Sequence, residues 1–466
     1  MSIDQEPHVH APCSGGDLSG EHADPAAVTA VRRAVADRLH DTHMSSTTDL
    51  AEVVEAEVGA WVRERAKDGI PPPSTAAEHQ LAQTVLAALS GLGGLAALLA
   101  GDDVENIHVH GHDRVWLEHA DGSLTRHREA VADSDAELVD LMTALFARHG
   151  QTSREWSPAN PLGNLRIADG GPLGARIAAL REVTDRPRIA IRRHRLAHAS
   201  LDQLRELGTL SEPVRHLLAT AVAAGVNILV TGGPAAGKTT LLRALCQEIP
   251  AMEHLVTVED DYELGLHLDE GRHPLVTACE ARTANAEGIG EVSLDALLTQ
   301  ALRHSPSRVL VGEVRGGEIT SLLRALGNGA AGGMGTLHAA SARAVPDRIA
   351  ALSQLAQPPL PIPAAHRWSA SALDLLVHVS RRTDPSTGAR HRVVSEVVEV
   401  GAVGDAEVPD LTSLASPDIE HGRAVPLAPP SPALLARLEH AGLDRSIVAG
   451  HCPAWAPETA WGGDLS

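Results

Sequence analysis

Aromatic side chains are nearly missing from this 466-residue chain: they make up 2%, with one tyrosine, Tyr262, and one phenylalanine, Phe146. Its core must therefore be packed from Ala, Leu, Val and Ile, within an apolar content of 43%. The 41 glycines and 29 prolines belong to the same compositional skew and carry no functional message. Cysteine is scarce too. Cys13, Cys246, Cys279 and Cys452 include no CxxC pair, which argues against a disulfide framework or a zinc site and for a reducing compartment.

Positive charge is short: 39 Lys and Arg face 60 Asp and Glu, for a formal net charge of −21. A field of that sign repels phosphate backbones, so direct nucleic-acid binding is not expected without a local basic patch. The densest basic run is Arg192-Arg193-His194-Arg195, read as a solvated strand end or a contact between subunits. The longest charge-free apolar run, 85–100, has 16 residues including four Gly or Ser, against the roughly 20 needed to span a bilayer. The first residues carry neither a basic region nor an apolar stretch, so no signal peptide is expected. The reading is a soluble, cytoplasmic protein.

A chain of this length exceeds one ordinary domain. Residues 1–75 read as an N-terminal extension, helical at 26–39 and 50–65 or partly disordered, ending at Pro71-Pro72-Pro73. Residues 76–200 read as a mixed α/β domain: a helical stretch over 76–99, a strand over 106–118 turning at Asp121-Gly122, then short strands over 162–193. Residues 201–402 form the next unit. Ser211 is a candidate N-cap, Pro213 suits a first turn and Gly225 can close the helix. Apolar runs at 227–231, 254–258, 308–311 and 333–337 then alternate with helical stretches, a βαβ rhythm that implies a parallel sheet. Two further strands, 373–379 and 391–400, are joined around 384–388. Residues 403–466 read as a Pro-rich, partly disordered tail with one short helix at 432–440.

Chemistry concentrates at the ends of the parallel strands, where ligands sit in such sheets. Gly232-Gly233-Pro234-Ala235-Ala236-Gly237-Lys238-Thr239 matches GxxxxGK[ST], with a strand before it and a helix, starting at Thr240, after it. Glycines let the backbone fold around phosphate, amides and the helix N-terminus receive its charge, and Lys238 reaches the outer phosphates. The Thr239 hydroxyl is placed for Mg²⁺. ATP and Mg²⁺ are thus the expected ligands. Glu259-Asp260, with Asp261 and Glu263, crowd carboxylates at a second strand end, where a cation or water network is needed to relieve their repulsion. In Arg308-Val309-Leu310-Val311-Gly312-Glu313 a buried strand ends in Glu313; Gly312 stands where an aspartate is usual, leaving Glu313 to orient the attacking water, directly or through Mg²⁺. His338, ending a fourth strand, can bond the γ-phosphate. Arg282, Arg303, Arg308 and Arg315 supply candidates for stabilising phosphoryl charge, and spacing alone does not choose among them. His108, His110 and His112 alternate as they would on one strand face, but no cysteine at ligand spacing accompanies them.

In this order the motifs resemble those of the type II/IV secretion ATPase superfamily, and more closely its CpaF/TadA branch, which powers tight-adherence (Tad/Flp) pili and related secretion. Residues 95–117 (LAALLAGDDVENIHVHGHDRVWL), 282–291 (RTANAEGIGE), 302–316 and 370–400 are each similar to stretches of that branch, and the resemblance covers roughly 79–402. It implies an α/β N-terminal domain followed by a RecA-like P-loop NTPase domain, in a hexameric ring with nucleotide between the domains. Closure, with hinge motion about 195–210, would drive a polytopic inner-membrane platform protein and, indirectly, a pilin-like or secreted substrate. The protein would then lie at the inner face of the membrane through its partners. The resemblance gives Lys238 and Thr239 to phosphate and Mg²⁺, Glu259, Asp260 and Glu263 to an acidic box, Glu313 to Walker B, His338 to a His box and Arg282 to the phosphates. The family commonly has His at Ala330 and Asn at Ala340. Two other readings follow, a nucleotide-binding scaffold of low turnover and a conjugation-type DNA pump; the net charge opposes the second.

Overall fold

The structure, a computed structural model, describes residues 25–41, 47–67, 71–90, 92–100, 103–119, 121–149, 156–167, 170, 174–193, 199–284, 288–327, 331–383, 390–405, 407–419, 421–449 and 452. Ala330, the expected turn at 384–388 and part of the expected hinge lie outside them. The chain divides into two compact units, 1–97 and 98–466.

The first unit holds α1 (Pro25–Asp41), α2 (Thr47–Lys67) and α3 (Thr75–Ser90). Ala27, Val31 and Val35 recur every four residues on α1 and pack with Val54 and Val58 of α2 and Leu81, Ala82 and Val85 of α3. Residue 76, the expected start of the α/β domain, lies in α3. That helix buries its apolar face among α1 and α2, which is a tertiary choice its periodicity does not announce. The unit boundary falls within α4 (Leu95–Ala100).

The second unit begins with β1 (Val104–His110), β2 (Val115–His119), β3 (Leu124–His127), α5 (Asp135–His149), β4 (Leu162–Ile167), β5 (Ala175–Leu180) and β6 (Arg188–Arg193). The strands form an antiparallel sheet in the order β3-β2-β1-β6-β5-β4. The stretch 106–118 is therefore two strands, broken at Gly111, whose φ of +71° suits glycine. That turn also parts His112 from His108 and His110 of β1: His108 lies 3.7 Å from Glu118, whereas His112 bonds Asp135.

Next come α6 (Leu201–Glu206), α7 (Glu212–Ala223), β7 (Ile228–Gly232), α8 (Lys238–Cys246), β8 (Leu255–Glu259), β9 (Val276–Glu280), α9 (Leu294–Ala301), β10 (Arg308–Val314), α10 (Ile319–Gly327), β11 (Met334–His338), α11 (Val345–Ser353), α12 (Ile362–Ala372), β12 (Leu375–Thr383), β13 (Arg390–Val403), β14 (Pro409–Pro417), β15 (Ala424–Pro426), α13 (Pro432–His440) and α14 (Arg445–Ala449). The nine strands run β15-β14-β13-β12-β7-β11-β10-β8-β9. Pairing is parallel from β12 to β9 and antiparallel from β12 to β15. Ile228 and Val230 of β7 face one apolar layer with α7 and α8, while Leu229 faces the other with α9 to α12. Strands buried on both faces read as continuous apolar runs, which is why they were visible in the sequence. β9 was not visible, because its Val276-Thr277-Ala278-Cys279-Glu280 is short, mixed and half-buried.

Ser211 is the N-cap residue of α7, yet its hydroxyl accepts no amide of its own helix and donates instead to the Ala424 carbonyl of β15. The segment after 403, expected as a tail, thus extends the sheet. Leu414, Leu434, Leu438 and Leu443 join the core with α7 and β7. Arg437 bonds Asp374, whose other oxygen accepts the Asn227 amide just before β7. Proline and exposed polar residues mask this role in the sequence, and α13 buries only Leu434 and Leu438. Leu438, 0% exposed, gives the test: Leu438→Ala should lower unfolding free energy by about 2–5 kcal/mol in urea titration. A change within about 0.5 kcal/mol, as for a loose surface segment, would contradict it.

Candidate functional site

Residue pairing brings the strand ends level. His338 of β11 pairs with Gly232 of β7, and Val379 of β12 pairs with Gly232 from the other side. Gly232 is required there, because a Cβ on it would stand 2.3 Å from the Val379 carbonyl oxygen. The chain then loops through Gly233, Pro234, Ala235 and Ala236 to Gly237, which caps α8 with φ +98°. No side chain caps this helix and its first turn has no acidic residue, so its end presents backbone N–H groups and Lys238 as a place for an anion. Around Gly233 nothing lies within 4 Å of where a Cβ would be. Thr239 and Thr240 are half-buried in the first turn.

Lys238 is buried. Its Nζ donates to the Gly233 carbonyl at 3.1 Å, lies 3.3 Å from both ring nitrogens of His338 and 3.8 Å from Glu313. Glu313 reaches this point through a bulge in β10, where the pairing with β11 slips between Val311 and Val314. One carboxylate oxygen meets His338 Nε2 at 2.7 Å; the other accepts from Arg315 Nε at 2.8 Å. Arg315 also reaches Asp260 at 3.1 Å. Burial lowers the Lys238 pKa against the opposing pull of Glu313. Burial and then the Lys238 charge lower that of His338, which favours the neutral ring.

The structure places Glu259 differently. It lies beneath the acidic turn, 1% exposed, with Oε2 accepting the backbone amides of Glu263 and Leu264 at 2.8 Å each. Gly312 explains how it fits: a Cβ there would lie 3.1 Å from Glu259 Cγ. Glu259 Oε1 has no hydrogen-bond partner, and burial raises the carboxyl pKa to about 7. Asp261 is paired 2.7 Å from Arg176 of β5, a residue with no signature in the sequence.

Of the four candidate arginines, Arg315 is at the site. Arg308 is buried and structural, bonded to Glu253 and to the Val222 carbonyl, and Arg303 is exposed. Arg282 donates to the Gly290 carbonyl and, with Arg315, Arg176, Asp260 and Asp261, lines a cavity of about 640 Å³ beside the cluster. Arg192 of the basic run adds positive potential at Lys238, while Arg193 is buried and bonds the Val104 carbonyl. Ala340 is exposed just beyond β11.

The raised Glu259 pKa fixes a sign. Its contribution to stability is complete below the ordinary value of 4.5 and is lost as pH rises through about 7, where an ionised carboxylate must be held in the interior. Glu259→Gln removes that ionisation. Relative to wild type, the variant should gain on the order of 1–3 kcal/mol between pH 5 and pH 8. Thermal unfolding at both pH values measures this, and a pH-independent difference would contradict it.

The description "Type II/IV secretion system protein" matches residues 104–404. A conjugal transfer protein of Mycobacterium tuberculosis is 37% identical over 296 residues, 63% of this chain and 81% of that protein. The type IV secretion system protein PtlH of Bordetella pertussis is 42% identical over 183 residues, 38% of this chain and 51% of that protein. Among solved structures, the VirB11 ATPase of the Brucella suis type IV secretion system, in complex with sulphate, aligns at a TM-score of 0.34 and 26% identity, covering 67% of this chain and 95% of its own. The match spans both the antiparallel sheet and the elements α8, β10 and β11 that carry Lys238, Glu313 and His338, and the chain belongs to the type II/IV secretion system protein family.

Proposed function

We propose that this protein binds Mg-ATP at the carboxyl ends of β7, β10 and β11 and hydrolyses it to drive secretion or pilus assembly through a membrane-embedded partner. The observation that carries the reading is the convergence of Lys238, Glu313 and His338 beside the uncapped start of α8. The backbone amides of Gly233 to Gly237 and the Lys238 ammonium hold the outer phosphates. Among the described residues no group of three or more His, Cys, Asp and Glu could hold a metal. The Thr239 hydroxyl would hold magnesium, with Glu313 in reach through water, and the ion would supply charge neutralisation at the phosphates.

Glu313 orients a water whose oxygen bonds to the γ-phosphorus as the bridging P–O bond breaks; ADP leaves and the water proton ends on the released phosphate. His338 and Arg315 fix the Glu313 carboxylate for this task, and neutral His338 reports the γ-phosphate to β11. Arg282, on the cavity wall, supplies charge to the phosphates in this reading, as the family resemblance implies. Glu259 acts by shaping the acidic turn that carries Asp260 and Asp261.

Several finer assignments belong to the same reading: a hexameric ring, a polytopic inner-membrane platform as partner and a cytoplasmic location at the membrane's inner face. Among the described residues no helix is long and apolar enough to cross a membrane. The likeness of 95–117 and 282–291 to the tight-adherence branch supports a pilin-like or secreted protein as cargo, and the net charge of −21 supports protein over DNA. The relative described as a conjugal transfer protein favours DNA transfer as the second reading.

Purified protein should hydrolyse Mg-ATP, and Lys238→Ala and Glu313→Gln should each lower kcat by about 10²-fold or more. Full activity in both variants would remove the site from this role. Stimulation by DNA, rather than by membranes carrying the partner, would move the assignment to the second reading.

A further inference from the structure

The phosphate loop is held by more than its own strand and helix. Ala235 at its apex has φ +55°, a left-handed backbone unfavourable for a residue with a side chain. The carbonyl of this residue accepts from Arg392 Nε at 3.2 Å. Arg392 Nη2 lies 2.9 Å from each carboxylate oxygen of Glu105 on β1. The arginine stem passes over Gly237, where an added Cβ would stand 3.3 Å from Arg392 Cδ. One side chain of β13 thus touches the loop's apex, its last glycine and a carboxylate of the six-stranded sheet. Arg390, two residues earlier on the same face of β13, lies 3.2 Å from Glu118 of β2.

We propose that Arg392 is a positioning residue that sets the shape of the phosphate loop according to where the six-stranded sheet stands. The inference rests on the nucleotide reading above. When Glu105 holds the guanidinium, Nε is aimed at the Ala235 carbonyl and the left-handed apex is braced; when the sheet moves away, the brace is lost and the loop relaxes. Arg392 is 38% exposed at its side chain, so it has room to move. The task suits arginine, whose several N–H donors serve two acceptors at once in a fixed fork; a lysine ammonium at the same place cannot span both. Nucleotide affinity and the position of the N-terminal sheet are then coupled through one side chain.

The test uses the full-length chain, titrated calorimetrically with Mg-ADP and assayed for Mg-ATP hydrolysis, at a temperature where each variant's unfolding curve shows it folded. Arg392→Ala should weaken Mg-ADP binding about 10-fold and raise KM for ATP by a similar factor, with a smaller fall in kcat. Arg392→Lys should not restore affinity. Glu105→Gln should weaken binding by a smaller factor, and adding it to Arg392→Ala should cause no further loss, since both act through one side chain. Wild-type binding with Arg392→Ala within twofold of it would overturn the proposal, as would losses that multiply in the double variant. Absence of Mg-ADP binding by the wild-type chain would instead overturn the nucleotide reading, and this proposal with it.

Discussion

The ammonium of Lys238 sits at the end of a parallel sheet in a residue only 6% exposed, and a charge so far from water has to be met by acceptors and opposite charge. Much of the site answers that need. The Gly233 carbonyl takes one N–H, and Glu313 is turned toward the lysine by a bulge that costs β10 regular pairing. Glu313 in turn is gripped by His338 and Arg315, and Arg315 carries the network to Asp260. Burial nonetheless lowers the pKa of the lysine.

The acidic turn shows the same economy of space. Gly312 leaves room that the Glu259 side chain fills, and Glu259 then ties down the backbone of Glu263 and Leu264. This holds Asp260 toward Arg315 and Asp261 toward Arg176 of the six-stranded sheet. With Arg392 on Glu105 and Arg390 on Glu118, the links between the N-terminal sheet and the nine-stranded sheet are charged and partly exposed. Contacts of this kind are individually weak and reversible, which suits the sheet movement proposed above.

The family match ends at residue 404, but the sheet does not. Strands β14 and β15 and the following helices cover an apolar layer under α7 that would otherwise face water, and Ser431 bonds the buried Glu399 of β13. The C-terminal segment is part of the domain that carries the loop. It braces β13, the strand from which Arg392 projects.

The sequence by itself determined the parallel strands and the glycine-rich loop over 232–239. Runs buried on both sides are apolar throughout, and a loop that wraps phosphate needs its glycines and lysine at fixed offsets, so both constraints are local and written in consecutive residues. Gly225, Gly237 and Pro213 were legible for the same reason, each answering to its own backbone geometry. Tertiary structure decided the partners. Whether Arg308 or Arg315 faces the cluster, whether Glu259 is a surface acid or a buried one, and whether Arg392 reaches Ala235 depend on contacts between residues tens to hundreds of positions apart. The placement of α3 with the N-terminal helices and the return of 409–449 to the sheet were hidden in the same way, because a periodic face shows that it will be buried but not against what.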